Sequence, residues 1–268
     1  MLSRDTHDGV TRLHFSSRHS RAVGYSVSAF LADGVLIDTG FPGVSADLAR
    51  VLDELSPRAV AITHWHEDHG GNAEAIARRG IPMAASPATL EILQALPPIG
   101  LYRRLVWGAP APLRSPVIPA ALGRLRLVPT PGHSVDHHVV WDPDRALVFA
   151  GDLFLGVKVR ALHRSENPRA HAASVRRVAD LRPRTLFDAH RGAISDPLPA
   201  LLAKADWMEE TIGAIERLIR RGWSDRAIAR DVLGRADMVT AITFGDLSRL
   251  NFVRAVRGTA DDEVVSGR

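Results

Sequence analysis

The sequence predicts an α/β fold, two β-sheets covered on the outside by helices, followed by a small all-helical C-terminal region. Two patterns carry that expectation. Up to about residue 195, short apolar, β-branched runs alternate with single amphipathic stretches, the order expected of strands and covering helices. From about Leu198 the apolar residues recur at helical spacing alone, so residues 1–197 read as one domain and 198–268 as a helical cap or helix-turn-helix-like region.

Taken in order, Thr11–Phe15 and the stretch from Val23 to Leu31 read as strands, and Asp33-Gly34 turns the chain into another at Val35–Ile37. Val44, Leu48, Val51, Leu52 and Leu55 then fall on one helical stripe. Strand, helix, strand and helix follow from Val60 to about Leu96, and His138 to Phe149 reads as a hairpin turning at Pro143-Asp144. Val175, Val178 and Ala179 mark a helix before a strand that ends in His190. Beyond it, Met208, Ile212, Ile215 and Ile219 form a stripe that Gly222 ends. Ser224 can cap a helix containing Ile228 and Val232, and a last helix is expected over Asp246 to Val256. The stretch 218–233 is similar to the first half of a helix-turn-helix, but Gly234 to Thr243 offers few base-reading residues.

Pro97 to Pro119 is proline-rich, and an irregular segment of this length often acts as a lid. It is expected to cover the site, with Trp107 as an apolar wall and Arg103 and Arg104 as anion holders. The competing expectation is a structural loop that tucks Trp107 into the core.

The 268 residues are 46% apolar, enough for a large core plus a small appendage. No apolar run approaches membrane-spanning length and the first residues are polar, so a cytoplasmic protein without membrane contact is expected. With no cysteine, disulfides and thiolate ligands are excluded. The net charge is +4, nearly all of the basic groups being arginine. Scattered charge of this kind permits an anionic substrate or a nucleic acid but favours a small-molecule substrate no less. A homodimer is also compatible with the sequence.

The chemistry concentrates in Thr63-His-Trp-His-Glu-Asp-His-Gly-Gly-Asn72, which packs three histidines and two carboxylates into six positions after an apolar strand. Neutral imidazoles and carboxylates are the ligands that zinc and its borderline neighbours use, drawn in catalytic sites from several loops. In extended chain His64 and His66 share a face and can grip one ion. Asp68 and His69 follow as the chain turns toward Gly70-Gly71 and are aimed elsewhere, which suggests a second ion. Three more apolar runs end in metal-type residues, at His133, Asp152 and His190.

In this order the motifs resemble the metallo-β-lactamase superfamily, over roughly the first three quarters of the chain. The resemblance rests on Asp38 in Leu36-Ile-Asp-Thr-Gly40, on the His-x-His-x-Asp-His pattern of His64, His66, Asp68 and His69, and on His133, Asp152 and His190. It implies an αββα sandwich and a glyoxalase II-like ligand set. His64, His66 and His133 would hold one divalent ion and Asp68, His69 and His190 another, with Asp152 bridging them and Asp38 hydrogen bonding the ligand loop. The implied cofactors are two divalent ions, zinc first, with Mn2+ and Fe2+ as alternatives. Asp152 stands where a thiolate-liganded β-lactamase has cysteine, which excludes that class. Oxygen-reducing di-iron relatives usually place glutamate at the position of His66 and add a flavin domain that this length cannot contain.

Two close divalent ions can hold a bridging hydroxide as nucleophile and polarise the bond under attack. The expected function is thus a dinuclear hydrolase of small-molecule esters, thioesters or lactones, in which Asp68 or Asp152 takes the hydroxide proton. His137, four residues after His133, is the candidate hydrogen-bond donor to substrate or leaving group. A nuclease or phosphodiesterase using the same site, and an iron-dependent persulfide dioxygenase, are the alternatives.

Overall fold

The computed structural model describes residues 1–235 and 238–266. Ala236 and Asp237, inside the stretch expected to lack base-reading residues, and Gly267 and Arg268 of the C-terminal region lie outside the described residues. The chain opens on a hairpin of β1 (Leu2–His7) and β2 (Val10–Phe15), then α1 (Arg18–Ala22) and a second hairpin of β3 (Val27–Ala32) and β4 (Val35–Ile37). Both hairpins turn on Asp-Gly pairs, Asp8-Gly9 and Asp33-Gly34, with all four residues at positive φ as the tight turn requires. There follow α2 (Ser45–Leu55), β5 (Ala59–Ala61), α3 (Ala73–Arg78), β6 (Met83–Ala84), α4 (Pro87–Gln94) and α5 (Leu101–Val106). The middle of the chain supplies β7 (Arg126–Pro129), β8 (His138–Asp142), β9 (Leu147–Phe149), β10 (Leu162–His163), α6 (Pro168–Asp180), β11 (Thr185–Asp188) and β12 (Gly192–Ser195). The remainder is α7 (Leu198–Arg220), α8 (Asp225–Ile228), α9 (Met238–Ile242), β13 (Leu247–Ser248) and α10 (Arg249–Ser266).

These elements form two compact units. One holds residues 1–129, 136–155 and 183–197, and the other residues 130–135, 156–182 and 198–268.

The first unit contains two sheets, ordered β1-β2-β3-β4-β5-β6 and β12-β11-β9-β8-β7. The period of two in each strand decides what lies between them and what faces the helices. Val35 and Ile37 of β4 and Ala59 and Ala61 of β5 pack with Leu125, Val140, Leu147, Phe149 and Phe187 between the sheets. There Phe30 lies 5.8 Å from Phe149 and 5.4 Å from Phe187, ring to ring. The alternate residues, Leu36, Val60 and Ile62, pack instead under Leu48, Val51 and Leu52 of α2, Ile76 of α3 and Leu93 of α4.

One strand is added to the expected elements and two expectations are corrected. β1 is an added strand on a sequence with no apolar signal: five of its six residues are exposed, and its ladder with β2 holds it. The strand expected from Val23 begins at Val27, because Ser17 and Ser20 form a reciprocal capping box that starts α1 in front of it. The expected lid contains α5, and Trp107 at its end is 7% exposed, 4.8 Å from the Phe41 ring and 6.0 Å from the Tyr25 ring. Trp107 is a core residue, not the wall of an open site.

In the second unit α6 packs on α7, and Ile212, Ile215, Ile228, Leu233, Phe252, Val253 and Val256 form its apolar centre. Ser224 caps α8 by accepting from the Ala227 N–H. The region is not wholly helical. Leu247 and Ser248 pair with His163 and Leu162, so the last helix starts at Arg249 and not at Asp246. Among the described residues no helix is long and apolar enough to cross a membrane.

Candidate metal centre

In the first unit β4 runs parallel to β5, and β9 to β11. The chemistry-bearing side chains leave the carboxyl ends of these strands, where backbone groups of open sheets are free to shape a site. Asp38 follows β4, the segment from Thr63 to His69 follows β5, Asp152 follows β9 and His190 follows β11.

Asp38 is 2% exposed and held at φ 62°. Its carboxylate accepts the Thr63 N–H at 2.8 Å, the Thr63 hydroxyl at 2.9 Å and His69 Nδ1 at 2.8 Å. Engaging Nδ1 in this way fixes the His69 ring and directs Nε2 into the site. Thr39 donates from both its N–H and its hydroxyl to the His69 carbonyl, at 2.8 and 2.6 Å. The loop closes so tightly that a Cβ on Gly71 would lie 1.9 Å from the Glu67 carbonyl oxygen.

His64 Nε2 and His66 Nδ1 lie 3.0 Å apart, while Trp65 between them donates its N–H to Asp136 at 2.9 Å. Asp152 Oδ1 stands 3.1 Å from His69 Nε2 and 3.1 Å from His190 Nε2. Asp68 Oδ2 is 3.8 and 3.6 Å from the same two nitrogens. His190 in turn donates from Nδ1 to the Ser26 carbonyl at 2.7 Å.

The ligand atoms of Asp68, His69, Asp152 and His190 all lie within 4.8 Å of one another, and those of His64, His66 and Asp152 satisfy the same limit. His69 Nε2 is buried and makes no hydrogen bond among the described residues. A buried imidazole nitrogen aimed at two carboxylates, with a second imidazole opposite, fits a divalent cation of the zinc, manganese or iron type. Burial works to lower His69 and His190, but the carboxylates of Asp152 and Asp68 outweigh it, raising His69 well above the ordinary histidine range and His190 to about 9. Both imidazoles therefore respond to a concentration of negative charge that a cation would neutralise.

His133 lies on the 130–135 loop of the second unit, buried, with Nδ1 3.4 Å from Glu166 Oε2. His137 is fully buried, and its Nε2 accepts the Asp152 N–H at 3.1 Å. Its ring therefore lies against the backbone of the Asp152 loop. Gly151 makes room for it, since a Cβ there would lie 2.9 Å from that same nitrogen. Lys158 is exposed. Of the expected anion holders, Arg103 is instead buried against Glu67, donating from Nε to Oε1 at 2.6 Å. Neither that pair nor the Asp136 contact is visible in local sequence, because the partners are 36 and 71 positions apart.

The model of the metallo-beta-lactamase superfamily matches residues 23–190. The chain belongs to that superfamily. It is an enzyme of the superfamily's metallo-hydrolase kind, with the mixed α/β fold that the alternation of elements predicts. The chain is 27% identical over 222 residues to the beta-lactamase-like protein 2 homolog of Drosophila melanogaster, covering 70% of this chain and 68% of that one. It is 30% identical over 174 residues to thioesterase pkgB of Emericella nidulans, covering 63% of this chain and 46% of that one. In solved structures it is similar to a metallo-beta-lactamase family protein from Thermus thermophilus, with a TM-score of 0.65 at 18% identity over 96% of this chain and 94% of that one.

Proposed function

We propose that this superfamily member is a dinuclear metal-dependent hydrolase acting in the cytoplasm on an ester, thioester or lactone of a small molecule. The observation that carries the proposal is the position of Asp152, whose carboxylate belongs to both groups of candidate ligands. In this reading His64, His66 and His133 hold one ion, Asp68, His69 and His190 the other, and Asp152 both, with zinc the favoured metal. Ions bound there would supply a water acidified toward neutrality and a polarised acyl oxygen.

The chain's own residues do the rest. Asp38 holds His69 by Nδ1 and so keeps Nε2 directed at the site. His137 is a positioning residue that acts through Asp152, whose N–H it accepts. Asp68 or Asp152 is the carboxylate that takes up the proton released during the reaction. Similarity to a protein named as a thioesterase favours the acyl substrates over phosphodiesters.

Metal analysis followed by turnover assays tests this. The expected result is two zinc ions per chain and chelator-sensitive hydrolysis of acyl thioesters or lactones. Asp152→Asn is expected to cost at least about a hundredfold in kcat/KM while the protein stays folded. One iron per chain with oxygen uptake on persulfides, or cleavage confined to bis-nitrophenyl phosphate and single-stranded RNA, would sink the proposal.

A further inference from the structure

The second unit carries a feature that the hydrolase reading does not use. Arg226 of α8, Arg230 and Arg235 beyond it, and Arg249 and Arg254 of α10 line one cavity of about 600 Å³. No carboxylate lines it among the described residues. Of the acidic groups nearest in sequence, Asp225 pairs with Arg257 at 2.7 Å, Asp246, which lines the adjoining cavity, lies 3.3 Å from His163, and Asp231 beside Arg230 is exposed. Exposed arginines are commonly just solvated, but five around one cavity repel one another, and an anion seated among them removes that cost. The volume lies in the range of small-molecule sites. One guanidinium is also built in: Arg249 Nη1 donates to the Leu233 carbonyl at 2.6 Å, and Gly234, at φ 88°, leaves room for it where a Cβ would lie 2.8 Å away.

Beside this cavity lies a second, lined by Phe244 and sharing Gly245, Asn251 and Arg254 with the first. Phe244 is 79% exposed and sits at φ 52°, a left-handed backbone costly for an aromatic residue. The turn that forces it is pinned by Thr243, whose hydroxyl accepts the Leu247 N–H at 3.1 Å. An aromatic face held out to solvent next to a cluster of guanidiniums matches the two halves of one ligand class. Planar guanidinium forks bind phosphate oxygens in pairs, and aromatic rings stack on bases.

We propose that the second unit binds a nucleotide, its phosphates among Arg226, Arg230, Arg235, Arg249 and Arg254 and its base against Phe244. Calorimetric titration of the metal-loaded full chain with inorganic phosphate, pyrophosphate, ADP and a short single-stranded RNA tests it. ADP is expected to bind at one site per chain at least about tenfold more tightly than phosphate. Arg226→Gln with Arg254→Gln, both at exposed positions, is expected to weaken ADP and pyrophosphate alike by about tenfold or more, with circular dichroism unchanged. Phe244→Ala is expected to weaken ADP but not pyrophosphate. Absence of saturable ADP binding overturns the proposal. So does binding that survives the arginine pair, which would place the anion on the metal centre, and so does RNA that displaces ADP at lower concentration than ADP itself requires.

Discussion

Glu67 stands between His66 and Asp68 in the ligand segment, yet its carboxylate is fully buried and turned to Arg103. The guanidinium also lies 5.7 Å over the Trp65 ring, so one side chain from α5 clamps two residues of the loop that carries the histidines. A buried ion pair of this kind is weak as a source of net stability but costly to break from one side, about 3–5 kcal/mol for the uncompensated charge. Arg103→Met alone is expected to lower unfolding stability by that amount and to loosen metal binding. The double variant Glu67→Gln with Arg103→Met is expected to recover a large part of the stability. Urea unfolding of the two single variants and the double variant measures the coupling; strictly additive losses would show that the pair does not act as a unit. The candidate ligands were legible in the sequence because imidazoles and carboxylates crowd into six positions and recur after apolar runs. Glu67 was not, because its role is set by a partner that only folding brings near.

Elements were legible where side chains alternate on a fixed period, and not where the backbone alone makes the structure. β3, β4 and β5 have apolar faces, and the turns between hairpin strands have Asp-Gly; β1 has neither an apolar face nor a strand-like composition, and β10 and β13 are two residues long. The 114–115 loop shows another device that leaves no periodic trace. Glu74 on α3 accepts the N–H groups of Arg114 and Ser115 at 2.8 and 3.1 Å, and Arg78 Nε at 2.8 Å. Hydrogen bonds from Ser115 and Arg114, then from Arg78, hold its carboxyl down at about 2. A carboxylate depressed in the folded state stabilises fully above its unfolded value of about 4.3, and that contribution is lost as pH falls through the folded value. Glu74→Gln is therefore expected to be less stable than the parent at neutral pH, with the gap narrowing as pH drops below about 4. Urea midpoints measured across that range check the sign. A gap that stays constant or widens in acid would remove Glu74 as the tether of this loop.

For the whole molecule, the α/β class follows from the alternation of strand and helix signals up to about residue 195. The grouping of residues 130–135 and 156–182 with the C-terminal helices does not, because long-range contacts decide it and no change in composition marks the crossings. Long-range convergence also ties the candidate metal centre to global stability. Within the first unit its side chains come from loops after β5 of one sheet and after β9 and β11 of the other, so an ion bound there joins both sheets. Without a cation, Asp68 and Asp152 concentrate negative charge against the imidazoles of His69 and His190. An ion that binds the folded chain alone stabilises it by about 2.7 kcal/mol at a free concentration one hundred times Kd. For a protein of this size that is about 5–10 °C in Tm. Calorimetric scans with excess zinc and with EDTA are expected to differ by about that much, His69→Ala is expected to abolish most of the difference, and the Arg226→Gln, Arg254→Gln protein is expected to keep it. Equal Tm values with zinc and with chelator would mean that these imidazoles and carboxylates are a buried ionic network holding the two sheets by themselves.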